Sequence, residues 1–263
     1  MKSMTSLTMD NYLFSGETID EVCVLTFKEM PLLHVMNLEA KETLLHYLER
    51  IADNKDINVL LIKGASEKMD RATYIGYYQK MINSDVNMLP LARMYNAVNQ
   101  FILQLADLNK MVIHADSGNT ILLHMNVSLA CDYRIVADNT IYQNPNIELG
   151  VVPKGGSVYF LSKMLGTAAT AKLLLSGEDF TAAQAHQLGI VDKVVPLKDL
   201  GRIALETAQS YAKLPLGYAI GIKKLLSFDL KELENYLEFE SELLQRLIQL
   251  GQLHSSSSLD TNL

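Results

Sequence analysis

The strongest constraint on this chain's fold is an alternation of two periodicities. Residues 21–27 (EVCVLTF) and 58–63 (NVLLIK) are short apolar runs with the length of buried strands. Between them Leu44, Leu45, Leu48, Ile51 and Ala52 recur at the spacing of one helix face, and Asn37 ahead of them carries a side-chain oxygen suited to cap that helix. A second long helix is expected over 90–107, with Met94, Val98, Phe101, Ile102 and Leu105 on one side. Strands are expected at 111–114 and 127–136. Strands and helices in this order predict an α/β fold.

From Gly155 onward the pattern is helical. Helices are expected over 156–165 and 168–175, then from a Thr181 cap to a closing Gly189, then over 197–212 and 230–250. The last ten residues, HSSSSLDTNL, read as a frayed polar tail. No internal repeat or linker divides the chain, and 263 residues, 49% of them hydrophobic, suffice for one substantial core.

A net charge of -7 with no cluster of Lys or Arg argues against nucleic acid and anionic membranes as partners. Only Cys23 and Cys131 occur, far apart and away from any His or Cys cluster, which favours reduced thiols and gives no metal site. No signal-like N-terminus and no apolar span of about 18 residues is found, so a cytoplasmic protein is expected.

The motifs become specific between Lys110 and Pro196. Cys131-Asp132-Tyr133-Arg134-Ile135-Val136-Ala137 is followed in register by Pro145 and Gly150, by Pro153 with Gly155-Gly156, and by the segment from Thr181 to Val191. These resemble the crotonase (enoyl-CoA hydratase/isomerase) family, with weaker matches reaching toward residue 22 and Lys223. The resemblance implies a crotonase-like spiral of βαβ units over 1–196 that forms two roughly perpendicular sheets. It also implies a C-terminal helical trimerisation region over 197–253, ahead of a flexible tail at 254–263. It further implies a homotrimer or hexamer, with helices rich in Leu233, Leu237, Leu243, Leu244 and Leu247 packing between subunits.

Members of that family bind acyl thioesters of coenzyme A and polarise the thioester oxygen with two backbone N–H groups, because negative charge develops there in the reaction. By resemblance one donor falls at Leu123, where Leu122-Leu123-His124 replaces three glycines, and the other at Thr73, after Gly64 and Met69. Side chains at Leu122 and Leu123 would narrow or plug that hole. The two glutamates that manage protons in the family's hydratases align with Asn126 and Asn146, and the isomerase aspartate of the Val-Pro-Asp turn aligns with Lys154. An amide has no accessible proton near neutral pH, so it cannot serve as general acid or base.

Other residues hold two readings each. His124 is either a base beside the thioester or a hydrogen-bonded turn residue. Lys154 either faces an anionic substrate group or points to solvent. Tyr74, Tyr77, Tyr78 and Lys80 either line the acyl pocket or simply pack. Asp132 and Arg134 read as architecture, and Asp116 has no assignment. Lys223 either reaches coenzyme A phosphates, as the resemblance implies, or lies on a solvated helix face.

Two functions follow. One is an acyl-CoA enzyme, lyase or isomerase in class, of atypical isomerase, decarboxylase or thioesterase type, with the coenzyme A thioester as substrate and no other cofactor. The other is a non-catalytic homologue serving as an accessory or structural subunit to a partner enzyme.

Overall fold

The computed structural model describes residues 7–28, 37–65, 70–82, 89–226 and 229–259. In chain order the elements are β1 (Met9–Asp10), β2 (Phe14–Ile19), β3 (Val22–Phe27), α1 (Leu38–Asp53), β4 (Val59–Lys63), α2 (Arg71–Ile82), α3 (Leu89–Asp107), β5 (Met111–Asp116), β6 (Asn119–Ile121) and α4 (Leu122–Leu129). There follow β7 (Tyr133–Ala137), β8 (Ile141–Gln143), α5 (Asn146–Leu149), α6 (Ser157–Leu165), α7 (Thr167–Ser176), β9 (Phe180–Thr181) and α8 (Ala182–Gln187). The chain then continues through β10 (Lys193–Val195), a 3-10 turn, α9 (Leu200–Ala212), α10 (Leu216–Leu226) and α11 (Leu230–Leu259).

Seven strands pair in the order β1-β2-β3-β4-β5-β7-β10, antiparallel at the β1–β3 end and parallel from β3 to β10. A smaller sheet has the order β6-β8-β9. The continuous apolar runs noted in the sequence are strands covered on both faces, as parallel sheets require. Leu25, Leu60, Ile62 and Val112 point into the main core beneath α1 and α3. Val24, Leu61, Ile113 and Ala115 point the other way onto α9, whose Ala204, Ala208 and Ala212 recur every four residues and let that helix lie close to the sheet.

Several sequence expectations are met in detail. The Asn37 side chain accepts from the Glu39 N–H, and Thr181 with Gln184 forms a reciprocal capping box at the start of α8. The expected strand over 127–136 is a correction: residues 122–129 form α4, and only Tyr133–Ala137 is strand. A short apolar run with few polar marks fits either state, and here the helix satisfies its own backbone inside the core. The tail is a second correction, because α11 continues to Leu259 instead of fraying at 254. Residues 260–263 and Met69 lie outside the described residues.

The expectation that the leucines of the last helix pack between subunits is also corrected for three of them. Leu233, Leu237 and Leu244, together with Ile248, are fully buried against this chain's own core, so α11 lies across its own subunit.

Candidate functional site

Strand periodicity puts His114 and Asp116 on the same face of β5 as Val112, under the helices of the main core. Both are buried, at 5% and 7% exposure, in positions where a parallel strand normally carries aliphatics. Asp116 accepts from the Ser117 N–H at 3.0 Å and from Thr120 Oγ1 at 3.4 Å. Its carboxylate lies directly on Gly64, where an added Cβ would come within 2.0 Å of Oδ1, so glycine is required there for close approach. Together with His124 from α4, these residues line a cavity of about 60 Å³ whose other walls include Phe27, Leu44 and Phe101. It opens at the C-terminal ends of β4 and β5, the edge where open α/β sheets commonly bind ligands.

The two expected backbone donors have different fates. Leu123 is the second residue of α4, whose N-cap, Ile121, offers no side-chain hydrogen bond to the first turn. The positive end of that short helix is thus left without a side-chain cap. Thr73 sits on the exposed first turn of α2, and its N–H is given to Asp70 Oδ1 at 2.7 Å. That bond also holds the Asp70 carboxyl below the usual carboxylate range. Leu122 is buried at 1% exposure in the main core.

Asn126, Asn146 and Lys154, the three positions singled out by the resemblance, fall in one buried polar network. Asn126, fully buried, donates from Nδ2 to the Lys154 carbonyl at 2.6 Å. Asn146 accepts from Tyr74 Oη at 2.8 Å, and its own amide leans on Asn144 Oδ1 at 3.4 Å. Tyr74 packs on Tyr78 with ring centroids 4.8 Å apart, and the Tyr78 and Tyr95 hydroxyls lie 3.3 Å apart. Burial drives the Tyr78 phenol up to about 12 and raises those of Tyr74 and Tyr95 well above the usual 10, so all three remain neutral near neutral pH. These rings occupy space as core side chains do.

Lys154 completes the network. It does not reach solvent, as one reading of the sequence had it, but is 1% exposed. Its Nζ bonds Glu240 Oε2 at 2.9 Å and Asn99 Oδ1, and stands 5.8 Å from the centre of the Tyr95 ring. Burial pushes the ammonium's pKa down, and the Glu240 carboxylate opposes that shift. The carboxylate also accepts from the Gly155 N–H at 2.8 Å and the Gly156 N–H at 2.9 Å. Both glycines have positive φ, +101° and +78°, which turns their successive amides to one side as an anion-holding nest.

Glu240 escaped the sequence reading. The signal was present: on α11 it falls on the stripe of Leu233, Leu237, Leu244 and Ile248, so a carboxylate occupies a core-facing position. Lys223 does not lie on a solvated helix face, its side chain being 8% exposed. It bonds Asp132 Oδ2 at 2.9 Å and the Lys110 carbonyl at 3.0 Å, at the N-terminal ends of β5 and β7 and away from the His124 cavity. Among the described residues no cluster of His, Cys, Asp or Glu could hold a metal ion, and no helix is long and apolar enough to cross a membrane.

The parallel sheet with its strand-edge cavity and the helices packed over it describe one class of protein. A model of the enoyl-CoA hydratase/isomerase family matches residues 17–259, and the chain belongs to that family, the crotonases. It is 22% identical to the short-chain-enoyl-CoA hydratase of Clostridium acetobutylicum over 90% of this chain and 88% of the relative. It is 24% identical to the trans-2-decenoyl-[acyl-carrier-protein] isomerase of Streptococcus mutans over 69% of each. The crystal structure of enoyl-CoA hydratase from Bacillus halodurans superposes with a TM-score of 0.79 at 20% identity, covering 94% of this chain and all of that one, a likeness of fold.

Proposed function

We propose that this chain is a crotonase homologue without hydratase chemistry, acting as an accessory or structural subunit beside a partner enzyme. The observation that carries this reading is the buried Lys154–Glu240 pair, which with Tyr74, Tyr78 and Tyr95 fills the region aligned with the family's proton-transfer groups. Asn126 and Asn146 can hydrogen-bond but cannot exchange protons with a substrate, and loss of such a group typically costs ~10²–10⁴-fold in rate. One of the two expected thioester donors, the Thr73 N–H, is already given to Asp70.

A second reading is favoured by the cavity of His114, Asp116 and His124 beside the start of α4. There the chain would bind an acyl thioester of coenzyme A and act on it by isomerase, decarboxylase or thioesterase chemistry, with an imidazole as base. Calorimetric titration with acetyl-CoA and crotonyl-CoA separates the two. Absence of binding at millimolar ligand supports the accessory role, and micromolar binding transfers the argument to the cavity.

A homotrimer or hexamer fits the exposed apolar face of α10, where Tyr218, Leu225 and Leu226 are 64%, 83% and 77% exposed. Light scattering is the test, and a monomer at micromolar concentration would refute it. The unpaired, buried Cys23 and Cys131 support a reducing, cytoplasmic location.

A further inference from the structure

We propose that the cavity at the C-terminal ends of β4 and β5 is a binding site for a short acyl group of about two to four carbons, with Phe27 and Phe101 setting that length. Protein interiors are close-packed and hold few voids larger than a water molecule. This one, of about 60 Å³, is larger. At about 10–15 Å³ for each water-sized position it has room for about four to six non-hydrogen atoms.

The walls decide what those atoms are. Leu44 and Leu45 of α1, Ala97, Val98 and Phe101 of α3, and Phe27 at the end of β3 give an apolar lining. A water needs about two to four polar partners, and a file of waters along such walls would lack them. Hydrogen-bonding groups enter chiefly from β5 and α4. Of the titratable side chains that line the space, His114, His124 and Lys41 can donate, whereas Asp116 already accepts from the Ser117 N–H and the Thr120 hydroxyl. The head group that suits the cavity is therefore an acceptor, a carboxylate or a carbonyl, and the tail that suits it is a short alkyl chain. An alkyl amine would set its ammonium among donors, and a plain hydrocarbon would leave those donors facing nothing they can bond.

The length limit comes from two aromatic rings. Phe27 is the last residue of β3, fixed there by its pairing with Phe14, and Phe101 lies on the buried side of α3. Their rings meet edge to face, with centroids 5.9 Å apart and planes at 73°, and both are more than nine-tenths buried. They are the largest apolar side chains lining the cavity, so a longer tail must displace one of them from a close-packed core. Such an acyl group has two sources, a free short-chain acid or the acyl end of a thioester, and only the second rests on the thioester reading given above.

The test is titration of the full chain with butyrate and octanoate, by calorimetry and on the NMR signals of the His114 and His124 rings. Butyrate should move both rings saturably, and octanoate should bind about tenfold or more weakly. Phe101→Ala lengthens the space and should reverse that order, with octanoate the tighter by about tenfold or more. Should that variant fail to fold, Phe101→Leu, a smaller change, should narrow the gap between the two acids. Butyryl-CoA separates the sources. If it shifts the same rings, the site serves a thioester; if butyrate alone does so, the acyl site stands and the thioester reading falls. No ring shift with butyrate, octanoate binding to wild type as tight as butyrate, or a preference unchanged in the Phe101 variants would each overturn the proposal.

Discussion

At the C-terminal ends of β4 and β5, polar side chains line a space; beneath α11, polar side chains fill one. His114, Asp116 and His124 surround a cavity, whereas Asn126, Asn146, Lys154 and Glu240 with three tyrosines leave little room and bond mainly to one another. Both regions bury polar side chains in the core, yet they differ in what a carboxylate contributes. Asp116 is held by the adjacent turn and leans on a glycine, while Glu240 is held by an ammonium and two amides from distant segments. The comparison teaches that a buried carboxylate can be held within its own turn or by donors that the fold delivers from distant segments.

The sharpest way to break this comparison is to remove the carboxylate beneath α11. Glu240→Ala leaves the Lys154 ammonium buried without its counter-ion and should cost about 3–5 kcal/mol in denaturant unfolding. Replacing both partners, Lys154→Met with Glu240→Met, should recover most of that loss, and a double variant as unstable as the single one would refute the pairing. Leu237→Ala, on the same helix, should cost about 2–5 kcal/mol, because its side chain is fully buried within the chain. A cost below about 0.5 kcal/mol would mean that α11 packs elsewhere in solution.

On the cavity side the effects are smaller. Gly64→Ala drives a methyl onto Asp116 and should cost about 1–3 kcal/mol, with Gly64→Ala/Asp116→Ala regaining much of it. Asp70→Ala removes the cap on the Thr73 N–H and should lower the denaturant midpoint by less than any of the core changes above.

Titration sharpens the contrast with the least energy. Lys154 has its pKa depressed on folding below 10.5, so between the two values the unfolded chain binds more protons, and stability from this group climbs as pH rises toward 10.5. The buried tyrosines shift upward from 10.0, so their contribution is present below pH 10 and falls away above it. Unfolding free energy measured against pH should lose its rising limb in Lys154→Met and keep its falling limb, and an unchanged profile would contradict the assignment.

The fold was readable in the sequence because strands and helices here carry different apolar periods. The repeats on α1 and α3, the Asn37 cap and the Thr181 capping box all act within a few residues of themselves. The site was readable only in part. That Asn126 and Asn146 could not move protons followed from their chemistry, but the stretch after β6 has no strong period, so its helix was read as strand. Lys154 gave no sign of burial because its partner is 86 residues away on α11. Long-range pairing of this kind shows in the sequence only as a charged residue on an apolar stripe.

Hydration of crotonyl-CoA by the purified protein tests the central claim most directly. The account predicts no turnover above that of buffer, because the positions that would handle protons are amides or a lysine already neutralised by Glu240. Brisk turnover would contradict it and would mean that the packed network beneath α11 opens to admit both substrate and water.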